Sequence, residues 1–285
     1  MIDDLLNFFN SFNVVKNYKL INQLKNEVDT LKSRLDIPRE LLDGFYADRN
    51  SREYREVYEK DAPLVTVCIG TYNRGKLLVE RSVRSVLEQS YGNIELIVVG
   101  DCCTDDTPRL VQGITDPRFR FINLPERGNY PENPLHRWCV AGTVPFNYAL
   151  SQARGDFITH LDDDDEFVPD RIEKLVKFIQ REKADLVWHP FWYERSNGRW
   201  AMRKAQEFSG GKVTTSSIFY HRWFTAVPWD IEAYRYQEPG DWNRLRKIKY
   251  LGARVARYPE PLLRHYCERN QESLSSRTIQ TRNTK

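Results

Sequence analysis

The run Phe157-Ile158-Thr159-His160-Leu161-Asp162-Asp163-Asp164-Asp165-Glu166 sets a short strand-compatible stretch directly against four adjacent aspartates. Five mostly apolar or β-branched residues read as a strand buried in a sheet. Four neighbouring carboxylates repel one another and make poor core, so a bound cation is the natural compensation. Side chains alternate along an extended chain, which predicts that Asp162 and Asp164 point the same way and can hold a hard divalent ion. The plainer reading is a solvated acidic turn before a helix starting near Pro169. The position at a strand's carboxyl end, where open α/β sheets gather their ligands, weighs against it.

Outward from this run the chain alternates strand and helix. Leu64–Gly70 is a continuous apolar run, suited to a strand covered on both faces. Val79, Val83, Val86 and Leu87 recur at helical spacing within 76–90. Ile94–Val99 and Phe119–Leu124 read as strands, with a helix over Thr104–Gly113 between them. A helix is expected over 136–153, another over Asp170–Lys183, and a strand from Asp185 to Trp188. This β-α-β-α order predicts an α/β fold with a mainly parallel central sheet and flanking helices. Beyond 188 the alternation weakens: Asn197-Gly198 marks a hairpin, Gly240–Leu251 a helix ended by Gly252, and six of seven Trp lie between 188 and 242.

The first sixty residues have a different texture. Leu24, Val28, Leu31 and Leu35 follow a 4-3-4 spacing that Ile21 and Tyr18 extend backwards, until Asp36-Ile37-Pro38 stops the helix. A helix packed on its own domain and an oligomerising helix, giving a homo-oligomer, both fit this stripe. Ile2, Leu5, Phe9 and Phe12 share another face, suited to a partner or to peripheral membrane contact.

A 285-residue chain with 40% hydrophobic residues is long and apolar enough for a real core. Its net charge of +3 is not the basic surplus of a nucleic-acid binder, and no nucleic-acid partner is expected. That total hides an asymmetry. Residues 1–194 carry 25 basic and 32 acidic side chains, a net of −7, while residues 195–285 carry 18 and 8, a net of +10. Such a basic second half is a hint of an acidic or phosphate-bearing partner. Five cysteines without a C-x-x-C pair predict a reduced chain. With no basic segment ahead of an apolar stretch at Met1 and no apolar run of about 18 residues, a cytoplasmic location is expected, with contact at the inner face of a membrane left open.

Gly70-Thr-Tyr-Asn-Arg-Gly75-Lys76-Leu77 imitates a phosphate-binding P-loop, but Leu77 stands where a hydroxyl must hold magnesium. A different resemblance accounts for the same residues. The stretches Val65-Thr-Val-Cys-Ile-Gly-Thr71-Tyr72-Asn73-Arg74, Ile97-Val-Val-Gly-Asp101-Cys-Cys-Thr104-Asp105-Asp106-Thr107 and Asn147-Tyr-Ala-Leu-Ser-Gln-Ala-Arg-Gly155-Asp-Phe-Ile-Thr-His-Leu-Asp162-Asp-Asp164-Asp165 occur in the order and at the spacing of family 2 glycosyltransferases. Over about residues 63–266 the chain resembles that family, which is inverting and has the GT-A fold with a D-x-D motif.

The resemblance implies a catalytic domain over 61–268 and leaves unexplained the helical extension over 1–60 and the polar tail over 269–285, which are read from their own spacing and composition. Within the domain, a donor half would span about 61–190 and an acceptor half about 191–268. Thr71, Tyr72 and Arg74 would line a nucleotide pocket, with Tyr72 near the base and Asp101 accepting from it, which favours a UDP-sugar. Asp162 and Asp163 would serve ribose or metal, and Asp164 would bind Mn²⁺ or Mg²⁺ directly. Asp241, in Glu238-Pro239-Gly240-Asp241-Trp242, would be the base that deprotonates the acceptor, although a helix N-cap is its commonest plain duty. His265 would stand against metal or diphosphate, with Arg264 and Arg269 as alternatives. Trp192, Trp223, Trp229 and Trp242 offer faces for a sugar acceptor or ordinary packing.

Three positions depart from the family pattern. Gly100 and Cys102-Cys103 alter the base-recognising stretch; Phe146 precedes Asn147 in place of a basic residue, a charge that Arg127 or Arg137 can supply; and Glu238 is not adjacent to Asp241. The acceptor is open among a glycan, a lipid-linked glycan and a protein. A sugar nucleotidyltransferase of related fold and a non-catalytic scaffold are the competing readings.

Overall fold

The computed structural model describes the backbone of residues 2–267 and the side chains of residue 17 and residues 19–267. The expected tail at 269–285, Arg269, and the Ile2/Leu5/Phe9/Phe12 face lie outside the described residues, as does the Tyr18 side chain. The chain opens with helices α1 (Ile2–Asp36), α2 (Arg39–Asp48) and α3 (Arg52–Glu56), then strand β1 (Val65–Thr71). Helix α4 (Gly75–Leu77) runs through a π-helical segment, Leu78–Val83, into α5 (Arg84–Leu87). There follow β2 (Ile94–Gly100), α6 (Thr107–Val111), β3 (Phe119–Asn123), α7 (Pro134–Val140), α8 (Thr143–Gln152), β4 (Phe157–His160) and β5 (Glu166–Phe167). The rest is α9 (Arg171–Glu182), β6 (Leu186–Trp188), β7 (Phe191–Glu194), β8 (Trp200–Arg203), β9 (Ile218–His221), α10 (Gly240–Tyr250), β10 (Val255–Arg257) and β11 (Leu263–His265).

Seven strands form the central sheet in the order β10-β6-β9-β4-β1-β2-β3. Strands β4, β1, β2 and β3 are parallel, as the alternation of strand and helix predicts, and β9 alone runs antiparallel to its neighbours β4 and β6. A second sheet, β5-β11-β7-β8, stands beside the carboxyl ends. Its β7–β8 hairpin turns at Asn197-Gly198, with Gly198 at φ +74, the conformation that such a turn requires.

Two expectations need correction. The helix read over 136–153 is broken into α7 and α8 because Gly142, at φ +80, reverses the backbone between them. Nor does packing break near residue 60: Phe45, Tyr54, Val57 and Tyr58 join the same core as the sheet, and the Tyr54 hydroxyl donates to buried Asp185 at 2.9 Å. The N-terminal segment behaves as an extension only through α1.

Helix α1 docks by polar contacts. Arg246 Nη2 reaches Asp36 at 2.5 Å and Arg246 Nη1 reaches Ser33 at 3.0 Å, while Trp242 Nε1 donates to Asp29 at 3.3 Å. Lys32 Nζ donates to the Tyr236 carbonyl at 3.0 Å. Its partner is therefore α10.

The false P-loop also finds its reason. A Cβ on Gly75 would stand 2.7 Å from Thr107 Cα, so this glycine lets α4 approach α6 rather than cradle a phosphate.

Candidate active site

Strands β1, β2 and β4 end side by side, and each delivers polar groups to one place. Thr71 closes β1, Asp101 follows β2, and the aspartates follow β4. After His160 the chain leaves the sheet, and the Asp165 amide donates to the Asp162 carbonyl at 3.1 Å, closing a turn. The alternation of an extended strand therefore ends before the carboxylates, and it is the turn that brings Asp162 and Asp164 to the same cavity. The turn is clasped from the π-helical segment: Ser82 Oγ donates to the carbonyls of Asp162 and Asp165 at 3.1 and 3.0 Å, and Arg81 to that of Asp164 at 2.6 Å. A π-helical turn in this position re-aims two side chains at a site, a recurrent use of such turns.

The turn sorts the carboxylates into two groups. Asp163 and Asp164 face Arg74, whose Nη1 lies 3.2 and 2.8 Å from them, and Thr71 Oγ1 donates to Asp163 at 2.7 Å. Asp162 and Asp165 face His265, and ligand atoms of these three all lie within 4.8 Å of one another. His265 Nδ1 is 2.9 Å from Asp165, and Ser216 Oγ is 3.1 Å from Asp162. Burial first, then the charges of Asp165 and Asp164, push the Asp162 carboxyl well above its usual range. Burial and the charges of Asp165 and Asp163 raise Asp164 to about 7, against the opposing pull of Arg74. Chiefly the charge of Asp165 raises His265 to about 9, making the ring a cation among carboxylates.

Beside β2 a second polar group takes shape around Asp101. Asp101, 3% exposed, accepts from the Gly128 amide at 3.0 Å. The Arg127 guanidinium lies 3.6 Å over the Tyr72 ring, with its Nε 3.8 Å from Asp101. Arg137 instead donates to the carbonyls of Pro131 and Glu132 at 3.0 and 2.8 Å. Of the two arginines weighed for the missing charge, Arg127 is the one joined to Tyr72 and Asp101. Cys102 adopts φ +58, and Cys103 is held by Asn123, so this departure from the family pattern is a hydrogen-bonded turn.

Asp241 arrives from the opposite side on the first turn of α10. Pro239 occupies the cap position, so Asp241 is not the N-cap. Its Oδ1 accepts from the Trp242 amide at 2.6 Å. Burial raises Asp241 to about 6, although neighbouring backbone N–H groups pull it down. Glu238 turns inward to Asn243 and Arg246, at 2.9 and 2.8 Å, as a structural anchor rather than a second site carboxylate.

Thr71, Tyr72, Arg74, Asp101, Asp162, Asp163, Asp164, Asp241 and His265 all line one cavity of about 1100 Å³. Of the four tryptophans considered for an acceptor face, Trp229 alone lines it. Trp223 packs on Phe45 at 4.8 Å and donates to Asp48; Trp242 packs on Phe208 at 5.9 Å and donates to Asp29. Trp192 belongs to β7, in register with Arg264, and Arg264 reaches Glu166 at 3.4 Å.

Some lining groups carry no local sequence signal. Tyr193, Arg195 and Arg203 come from the β7–β8 hairpin, and Trp138 from α7. Asp165 sits in the quoted acidic run, yet its hold on His265, 100 positions away, is a contact no local pattern discloses.

A model of glycosyl transferase family 2 matches residues 66–133 and 144–240, more than half of the chain. The chain belongs to glycosyltransferase family 2. It is 34% identical over 136 residues to the putative colanic acid biosynthesis glycosyl transferase WcaA of Escherichia coli K12, a match covering 47% of this chain and 43% of WcaA. It is 33% identical over 132 residues to UDP-Glc:alpha-D-GlcNAc-diphosphoundecaprenol beta-1,3-glucosyltransferase WfaP of Escherichia coli, covering 46% and 47%. This family 2 member thus matches less than half the length of each. S. aureus TarS 1-349, solved in complex with UDP-GlcNAc, superposes with a TM-score of 0.56 at 20% identity, over 72% of this chain and 59% of TarS. That likeness shows the GT-A fold.

Proposed function

We propose that this family 2 member is an inverting, divalent-metal-dependent glycosyltransferase that moves a sugar from a UDP-sugar to the hydroxyl of a polysaccharide or lipid-linked glycan. The observation carrying this reading is the shared cavity, which the Tyr72–Arg127–Asp101 group, the carboxylate turn and Asp241 all enter. Relatives favour the same chemistry: WfaP is named for a UDP-Glc donor and a diphosphoundecaprenol-linked acceptor, and TarS was solved with UDP-GlcNAc.

The residues fit a divalent metal. Asp162 and Asp164 are pushed toward protonation by burial and mutual repulsion, a penalty that a cation among them removes. Asp162, Asp164 and His265 line the cavity and would hold the ion, with buried Asp165 fixing the imidazole from behind. Hard carboxylate oxygens with one imidazole suit Mn²⁺ or Mg²⁺. When bound, such an ion neutralises the charge developing on the leaving diphosphate.

Asp101 accepts an N–H from the base, and Tyr72 and Arg127 offer flat surfaces to it. Arg74, already among the carboxylates, adds a positive charge toward the phosphates. Asp241 takes the proton of the acceptor hydroxyl as that oxygen bonds to the anomeric carbon. On the opposite side the bond from that carbon to the diphosphate oxygen breaks, its electron pair leaving with UDP. One displacement gives inversion.

The test is UDP release from a panel of UDP-sugars with Mn²⁺ and lipid-linked or polysaccharide acceptors. Turnover that needs the metal and falls by about 10²-fold or more in Asp164→Ala is expected. Undiminished turnover in that variant overturns the assignment.

A further inference from the structure

The polar side of α1 is spent on its own domain, and the apolar side is left facing outward. Ile21, Leu24, Val28, Leu31 and Leu35 are between 48% and 84% exposed, and Leu20 beside them is 52% exposed. The anchoring residues Asp29, Ser33 and Asp36 lie about 120° around the helix from this stripe, at 100° per residue. The contacts with α10 therefore fix the stripe toward solvent.

We infer that this stripe is one half of a parallel two-stranded coiled coil and that its occupant is α1 of a second copy of this chain. Three features select that occupant. The spacing 3-4-3-4 repeats every 3.5 residues, the period of a seam facing another helix, and it is narrower than the apolar face of a helix lying on lipid. The residue types alternate correctly for two parallel strands. Ile21 and Val28 are β-branched at the first heptad position, Leu24 and Leu31 are leucines at the fourth, and Leu35 closes the run.

The flanking charges also agree. In a parallel pair, Glu27 at the last heptad position lies opposite Lys32 at the fifth position of the other helix, a contact of opposite sign. Lys32 is a quarter exposed, and its ammonium, which donates to the Tyr236 carbonyl at 3.0 Å beside Glu238, would have to exchange or share that partner to meet Glu27. A lipid surface fits less well, because Lys16, Lys19, Lys25, Lys32 and Arg34 of α1 are balanced by Asp3, Asp4, Glu27, Asp29 and Asp36, without the basic surplus of a membrane-lying helix.

Two heptads are short for an isolated peptide, which must first nucleate its helix. This helix is already formed and anchored, so pairing has only the seam to assemble. The result is a two-fold dimer with both α1 helices running in the same direction.

The full chain at tens of micromolar is expected to show twice the monomer mass by sedimentation. The Leu24→Glu/Leu31→Glu double variant, changed only at exposed positions, is expected to be monomeric with an unchanged circular dichroism spectrum. Val28→Cys is expected to give an oxidised dimer on a non-reducing gel, whereas Thr30→Cys, on another face, and the wild type give none. A wild-type monomer overturns the inference, as does a double variant of unchanged dimer mass. Dimers without a Val28→Cys cross-link overturn the parallel register. A monomer that co-sediments with phosphatidylglycerol-containing vesicles, losing this in the double variant, would give the stripe to lipid and overturn the dimer.

Discussion

Asp241 carries the sharpest residue-level consequence. Its carboxyl is raised to about 6 by burial, and a base must be ionised to accept a proton. The rate with a saturating acceptor is therefore expected to be flat above neutral pH and to fall about tenfold per pH unit below about 6. In Asp241→Asn the amide cannot take the proton, so turnover should drop by about 10²–10⁴-fold while UDP affinity stays within about twofold. A pH–rate profile and a UDP titration on the variant check both parts. Tyr72 is tested separately: Tyr72→Ala removes the ring under the base and should weaken UDP binding by about 1–3 kcal/mol, read by calorimetry. Both residues line the cavity, and the sequence reading could single them out because they sit in or beside short local motifs. The partition of the aspartates was not. Strand alternation pairs Asp162 with Asp164, but the turn clasped by Ser82 and Arg81 gives Asp164 to Arg74 and Asp162 to His265.

Among the elements, strands β1, β2 and β4 were readable because each is an apolar run that needs no distant partner to identify it. The two-helix structure of 134–152 was less so, since one glycine at positive φ outweighs a continuous helical pattern. The docking of α1 was not readable at all. Its stripe predicts a buried or paired face, yet what holds it is a polar set whose central pair, Arg246 and Asp36, is 210 positions apart. That pair gives an element-level prediction. Arg246, 1% exposed, also reaches Glu238, so Arg246→Met strands two carboxylates in a buried setting. A loss of about 3–5 kcal/mol of stability is expected in urea unfolding. Because α10 carries Asp241, turnover should fall with it.

For the whole molecule, the charge asymmetry takes a more specific meaning than a basic acceptor face. Part of the positive charge of the second half is paired with acids of the first: Arg246 with Asp36, Arg254 with Asp185, and Arg264 with Glu166. Arg244 is buried against the carbonyls of Val227 and Phe224. Among the described residues, the second half's basic contribution to the cavity wall is Arg195 and Arg203, from a hairpin without a motif. The cavity wall formed by Thr71, Tyr72, Arg74, Asp101 and the aspartates thus comes from three local stretches that the sequence reading singled out, while the opposite wall is built by contacts between distant segments. The proposed role of the carboxylate turn is to hold a divalent ion against a nucleoside diphosphate, and calorimetric titration of UDP into the full chain, with Mn²⁺ and again with the metal chelated, measures it. Binding at least about tenfold tighter with Mn²⁺ is expected, a gain lost in Asp162→Asn/Asp164→Asn. Equal affinity with and without Mn²⁺, or a metal-dependent gain that survives the double substitution, would contradict it.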